Sequence, residues 1–254
     1  MISKMPSTQG RPPRFENFEL KTLAVPITND FNLEMDVLEN LDETIDSLFK
    51  YIAHDVHLPP GLSLTPEASQ KLLEDLCPYF GVVWPAALAL AQHIAAMNWQ
   101  GARVLEVGCG LALPSLVAAR GGAHVTATDF HSEVPRFLEH NLAQNKISGV
   151  TYKALDWKHP DSFPGAFDWI IGSDVLYEKE HPDTLAEALA RLAGKKGRII
   201  IADPGRPYLQ RFIDEMTKQG YTHDTMIRKA RDINSPQGSD GGDKEVFLLF
   251  FQRK

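Results

Sequence analysis

Two hydrophobic rhythms alternate along the second half of the chain. Short runs of branched or apolar residues, "RVLEVG", "HVTATD", "VTYKALD", "FDWIIGSD" and "GRIIIADP", begin at Arg103. Between them apolar residues return at helical spacing near Leu113 to Arg120, Glu133 to Asn145, Thr184 to Ala193 and Tyr208 to Gln219. Strands that alternate with helices predict βαβ units, and runs this continuously apolar predict a parallel sheet covered on both faces. The tail departs from that rhythm: "HDTMIRKA" and "KEVFLLFFQRK" are joined by "RDINSPQGSDGGD" with no helix between them. Such a pair predicts an antiparallel hairpin carrying a mobile loop. The expected architecture is α/β, five parallel strands followed by the hairpin.

The first hundred residues are expected to be mainly helical. "EMDVLENLDETIDSLF" sets Leu38, Leu41, Ile45 and Leu48 at helical spacing, predicting an amphipathic helix from about Glu34 to Phe49. Acids fill its other faces, as on a solvated surface or, alternatively, a docking surface for a basic protein. "LTPEASQKLLEDL" offers Thr65 as a cap and Pro66 at the first helical position. "PYFGVVWPAALALAQHIAAM" then predicts a helix that starts at Pro85 and runs to about Met97. The resulting division is a flexible segment over 1–30, a helical extension over 31–78 and the α/β domain over 79–254.

Composition narrows the partners. A 254-residue chain can bury a sizeable core, and 43% hydrophobic with 23% charged residues describes an ordinary globular protein. A net charge of -7 argues against a surface built to follow phosphate backbones, so nucleic acid is not an expected partner. No apolar run approaches the roughly 20 residues needed to span a bilayer, so no membrane is expected either. Cys77 and Cys109 show neither metal spacing nor a disulfide framework, and the nine histidines form no ligand cluster. A cytoplasmic location without a metal is the expectation.

Chemistry is concentrated at two strand ends. In "VLEVGCGLALPSLVAARGGAHVTATD", Gly108 and Gly110 stand where the first strand meets the next helix, so the backbone can turn sharply and approach a ligand. Asp129 closes the second strand, where a carboxylate can accept hydrogen bonds from ribose hydroxyls. These features suit both a nicotinamide dinucleotide and S-adenosylmethionine. The dinucleotide fingerprint wants a third glycine where this chain has Leu113, which weakens that reading. At the other strand end, "WIIGSDVLY" delivers a carboxylate, Asp174, and a phenol, Tyr177, where an apolar run stops.

Together these motifs resemble the seven-stranded, class I S-adenosylmethionine-dependent methyltransferases over roughly Tyr79 to Lys254. "VLEVGCG" looks like their first motif, "VTATD" like their second, and "ALDW" like the segment after their third strand. The resemblance implies a Rossmann-like sheet of order 3-2-1-4-5-7-6 with strand 7 antiparallel. It also implies that Glu106, Gly108, Cys109 and Gly110 surround the methionine and ribose part of S-adenosyl-L-methionine. Asp129 would hold the ribose hydroxyls, Asp156 and Trp157 would meet the adenine, and Ser173 would add a contact.

"VVWPAA" and "DVLY" are similar to the protein-lysine methyltransferases that carry an acid-x-x-Tyr/Phe motif. By that likeness Trp84 lies near the cofactor while Asp174 and Tyr177 face the incoming amine. "ADPGRP" is similar to the electron-transfer-flavoprotein β-subunit lysine methyltransferases, which makes Asp203 and Arg206 candidate substrate contacts. "LALP", Leu111 to Pro114, departs from relatives that have another glycine there. The implied activity is methylation of a lysine in a protein substrate. The alternatives are a small-molecule or histidine N-methyltransferase, an NAD(P)-linked oxidoreductase, and a cofactor-binding module without turnover.

Overall fold

A computed structural model describes residues 17–52, 65–160, 163, 167–234 and 242–254. Its sheet has seven strands: β3 (Arg103–Val107), β4 (His124–Asp129), β5 (Val150–Ala154), β6 (Phe167–Ser173), β7 (Ala193–Asp203), β8 (Tyr221–Ala230) and β9 (Lys244–Arg253), in the order β5-β4-β3-β6-β7-β9-β8. Numbered from β3, this is 3-2-1-4-5-7-6. The first five pair in parallel, whereas β9 runs antiparallel to both β7 and β8. The predicted sheet and terminal hairpin are therefore present. Most of the loop expected between β8 and β9, residues 235–241, lies outside the described residues.

Successive side chains of a strand face opposite ways, and the apolar runs fill two cores by that alternation. Val104, Ile171, Ile200, Ala202 and Leu248 face one core; it also takes in α3 (Pro85–Ile94), α4 (Leu113–Arg120) and α5 (Val134–Asn145). Leu105, Val107, Ile170, Ile199, Ile201 and Leu249 face the other, which is closed by α6 (His181–Leu192) and α7 (Leu209–Lys218). Helices on both faces follow from central strands with no polar face.

The N-terminal region corrects the sequence expectation. Residues 20–28 and 31–38, placed in a flexible segment and at the start of a helical extension, instead form β1 (Leu20–Thr28) and β2 (Phe31–Leu38), an antiparallel hairpin. Leu33, Met35 and Val37 are buried while Asn32, Glu34 and Asp36 are not, a period of two that the more widely spaced Leu38, Leu41, Ile45 and Leu48 concealed. The helix starts only at α1 (Leu41–Lys50), because Asn40 caps it: its Oδ1 accepts the Glu43 amide at 3.2 Å and its Nδ2 donates to Glu43 Oε1 at 2.8 Å.

The free edge of β2 is closed by side chains. Asn141 and Asn145, one turn apart on α5, accept the Asp36 and Glu34 amides at 2.8 and 2.9 Å, and Asn145 donates back to the Glu34 carbonyl at 2.7 Å. An exposed edge that could pair with another chain is thereby blocked.

Thr65 and Pro66 open α2 (Pro66–Leu76) as expected, with Thr65 Oγ1 accepting the Ala68 amide at 3.2 Å. α3 stops at Ile94, short of Met97, and the Ile94 carbonyl is taken by Trp99 Nε1 at 2.8 Å.

Candidate active site

Neighbouring parallel strands open a crevice beyond their carboxyl ends, and here β4, β3 and β6 stand side by side. Beyond β3 the chain turns left-handed at Gly108, with φ 60°, and again at Gly110, with φ 50°. A Cβ at Gly108 would lie 2.7 Å from Val175 Cγ1 and 3.6 Å from Trp157 Cζ2; one at Gly110 would meet the Phe80 carbonyl at 3.2 Å. Only glycine satisfies both the backbone and the space.

This turn is fastened to β4. The buried Cys109 donates its amide to the Thr128 carbonyl at 2.9 Å, and Gly110 donates its amide to Asp129 Oδ2 at 3.0 Å. The other oxygen of Asp129 accepts the amides of Phe130 and His131 at 2.8 and 3.0 Å. Burial raises the Asp129 carboxyl above its ordinary range, opposed by those three amides. Each oxygen has a second lone pair, so Oδ2 keeps accepting capacity.

Glu106 is fully buried on β3. Its Oε2 accepts the Ser115 amide at 3.0 Å and the Ser115 hydroxyl, but Oε1 is buried with no partner among the described residues. Burial pushes this carboxyl up to about 8. An orphaned oxygen on such a group is costly unless a ligand meets it.

Aromatic side chains flank the turn. On one side Trp84 donates Nε1 to the Tyr79 carbonyl at 2.9 Å, and the Phe80 ring packs 4.3 Å from the His131 ring. On the other, the Trp157 and Tyr177 rings both meet His181 edge-on, at 5.1 and 4.7 Å. His181 is fixed by Nδ1, which donates to the Val175 carbonyl at 2.9 Å, and burial lowers its pKa. Asp156 directly precedes Trp157. It is exposed and engaged locally, accepting the Lys158 amide at 2.9 Å and pairing with His159 at 2.8 Å, contacts that hold its carboxyl below the usual range. Each of its oxygens keeps a second lone pair.

Beyond the buried Ser173, Asp174 takes up φ 59° and donates its amide to the Ala202 carbonyl at 2.9 Å. A non-glycine residue held there is stored strain, which clusters at functional positions. Its side chain is 9% exposed, and Oδ1 accepts both Nε, at 2.8 Å, and Nη2 of Arg206. Arg206 follows β7 in a turn shaped by Asp203, whose Oδ1 accepts the Gly205 and Arg206 amides at 2.8 and 2.7 Å. Asp203 is fully buried and shapes the turn, and its Oδ2 has no partner among the described residues. Tyr177 is 43% exposed, with the Arg206 guanidinium carbon 6.0 Å from its ring centre. Burial raises its phenol.

Residues 71–219 match the family model described as lysine methyltransferase. The chain belongs to the lysine methyltransferase family. Within it, the chain is 41% identical over 118 residues to a Xenopus laevis protein named histone-arginine methyltransferase METTL23, a match covering 43% of this chain and 50% of that protein. It is 35% identical over 129 residues to mouse protein N-lysine methyltransferase METTL21A, covering 48% and 59%. The Xenopus laevis electron transfer flavoprotein beta subunit lysine methyltransferase is 28% identical over 161 residues, covering 56% and 65%. The chain thus spans between half and two thirds of the length of these relatives.

Among solved structures, the fold resembles magnesium protoporphyrin IX methyltransferase (ChlM) from Synechocystis, determined with bound SAM. The TM-score is 0.50 at 18% identity, covering 81% of this chain and 89% of that one. It also resembles precorrin-6y C5,15-methyltransferase from Geobacter metallireducens, with a TM-score of 0.51 at 14% identity, covering 64% and 88%. These likenesses concern the fold.

Two residues of the site escaped the sequence reading. Phe130, directly after Asp129, is 58% exposed, a large ring left open beside the crevice. His181 joins the Trp157 and Tyr177 rings. A bulky aromatic immediately after the strand-end acid was a signal for the first; nothing in the local pattern distinguished the second from a helix-start histidine.

Proposed function

We propose that the protein is an S-adenosylmethionine-dependent N-methyltransferase that modifies a lysine side chain of a protein. The observation that carries this reading is the placement of Asp174 and Tyr177 at the end of β6, beside the glycine turn that ends β3. Val107 and Gly172 are paired residues of those two strands, so the carboxylate emerges next to the cofactor crevice.

The residues present fit that cofactor. Glu106 Oε1 offers an unmatched acceptor to its cationic amino-acid end, and Asp129 Oδ2 offers one to a ribose hydroxyl. The open ring of Phe130 and the indole of Trp157 offer apolar faces to a purine. Gly108, Cys109 and Gly110 supply the close backbone approach, with Trp84 and Ser173 completing the rim. When bound, S-adenosylmethionine supplies a methyl carbon, to which the amine nitrogen bonds as the carbon–sulfur bond breaks and its electron pair stays on sulfur.

The chain's own task is to present a neutral nitrogen. A lysine with a pKa of about 10.4 is roughly 3.4 units from neutral at pH 7, a deficit of about 4.6 kcal/mol. Exclusion of water lowers that pKa. Asp174 accepts an amine hydrogen and turns the lone pair toward the methyl, and Tyr177 walls the alkyl stem.

A second reading, methylation of arginine, is favoured by the similarity to the protein named histone-arginine methyltransferase METTL23. The cytoplasm is the proposed location: Cys77 and Cys109 are free thiols, in keeping with a reducing compartment. No helix among the described residues is long and apolar enough to cross a membrane. Labelling with radioactive methyl donor, followed by amino-acid analysis of the labelled protein, decides between lysine and arginine.

A further inference from the structure

We infer that Arg206 is a positioning residue that masks the charge of Asp174, so that the carboxylate can orient the substrate amine without trapping it as an ammonium ion. The inference rests on the proposed methyltransferase reading and assigns to Arg206 a role other than direct substrate contact.

The geometry fixes Arg206 from three directions. Its amide is held by Asp203 Oδ1 at 2.7 Å, its guanidinium gives Nε and Nη2 to Asp174 Oδ1, and Tyr177 lies beneath it with the guanidinium carbon 6.0 Å from the ring centre. Both donors converge on one oxygen of Asp174; no hydrogen bond from the described residues reaches Oδ2. That second oxygen is the one left for a substrate N–H. Arg206 is 33% exposed against 9% for Asp174, so the pair stands at the rim with the carboxylate innermost.

A lone carboxylate beside an amine favours its charged form and raises its pKa by about 1–3 units, which opposes attack. A guanidinium fixed on the same carboxylate cancels most of that field while leaving a lone pair to accept from the amine. Asp203 at the end of β7 faces this pair, and Asp129 from β4 and Glu178 face the Tyr177 ring beside it. All are acids, and His181 from α6 has its pKa lowered by burial. Arg206 is therefore the cation on hand to offset them, and a lysine in its place would lose the fork that holds Oδ1.

Two measurements test the role. The first titrates butylammonium, a mimic of the lysine tip, into the protein saturated with S-adenosylhomocysteine, observed by ligand NMR at pH 7. Arg206→Gln should bind it at least fivefold more tightly than wild type, and Arg206→Gln combined with Asp174→Asn should lose that gain. Equal or weaker binding in the single variant overturns the inference.

The second follows methyl transfer to the protein band that wild type labels in desalted cell extract, between pH 6 and 10. Arg206→Gln should move the rising limb about one unit or more to higher pH, so that its rate is about tenfold lower at pH 7.5 and converges with wild type near pH 10. Arg206→Lys should restore much of the limb. A loss of equal size at every pH marks a merely structural residue and overturns the inference. Wild type that labels no protein overturns the methyltransferase reading instead, while the butylammonium arm still judges Arg206.

Discussion

Gly110 donates its amide to Asp129 Oδ2 across 3.0 Å, which ties the glycine turn after β3 to the end of β4. The carboxylate proposed to hold a ribose therefore also sets the shape of the turn proposed to hold the rest of the cofactor. Removing it has two consequences. Asp129→Ala leaves the Gly110, Phe130 and His131 amides without their acceptor, and should cost about 2–4 kcal/mol of stability. Affinity for S-adenosylmethionine should fall at least about tenfold. Thermal unfolding and calorimetry on the same samples check both, and an Asp129→Asn variant should fall between.

Glu106 predicts a pH dependence. Its folded pKa is raised by burial to about 8 from an ordinary 4.5. The folded state therefore holds a proton that the unfolded state has released, and this group weakens stability progressively as pH rises from about 5 to 8. Glu106→Gln keeps an acceptor for Ser115 and removes the ionisation. In the absence of cofactor, the Tm of the variant relative to wild type should rise steadily between pH 5 and pH 8. A constant difference across that window would contradict the assignment.

Asn141 predicts an effect far from the site. It is fully buried on α5 and accepts the Asp36 amide at 2.8 Å, closing the edge of β2. Asn141→Ala should cost about 1–3 kcal/mol by leaving that amide unmatched, and should expose the β1–β2 hairpin to limited proteolysis before the rest of the domain. Cofactor affinity should change little, because Asn141 holds the edge of β2 while the glycine turn is fastened to β4.

The parallel sheet was legible because its central strands are buried on both faces. "FDWIIGSD" and "GRIIIADP" are too short and too branched to be helices. The N-terminal hairpin was not, although "LAVPITNDFNLEMDV" alternates around an Asn-Asp turn. Leu38, Leu41, Ile45 and Leu48 imposed a helical spacing that ran across the real boundary at Asn40. At the site, Asp174, Tyr177 and the glycine turn could be picked out by residue type. The pairing of Asp174 with Arg206, 32 residues apart, depends on β6 and β7 lying side by side. The outward engagement of Asp156 with His159 likewise depends on a local turn that sequence period does not report.

The most direct test of the account follows tritium from methyl-labelled S-adenosylmethionine into desalted cell extract, with wild type and Asp174→Asn side by side. The account predicts a discrete labelled protein that releases methyl-lysine on hydrolysis. It also predicts transfer reduced about a hundredfold by the substitution, with cofactor affinity held within about threefold. Label confined to small molecules, label recovered as methyl-arginine, or an Asp174→Asn enzyme as fast as wild type would contradict it.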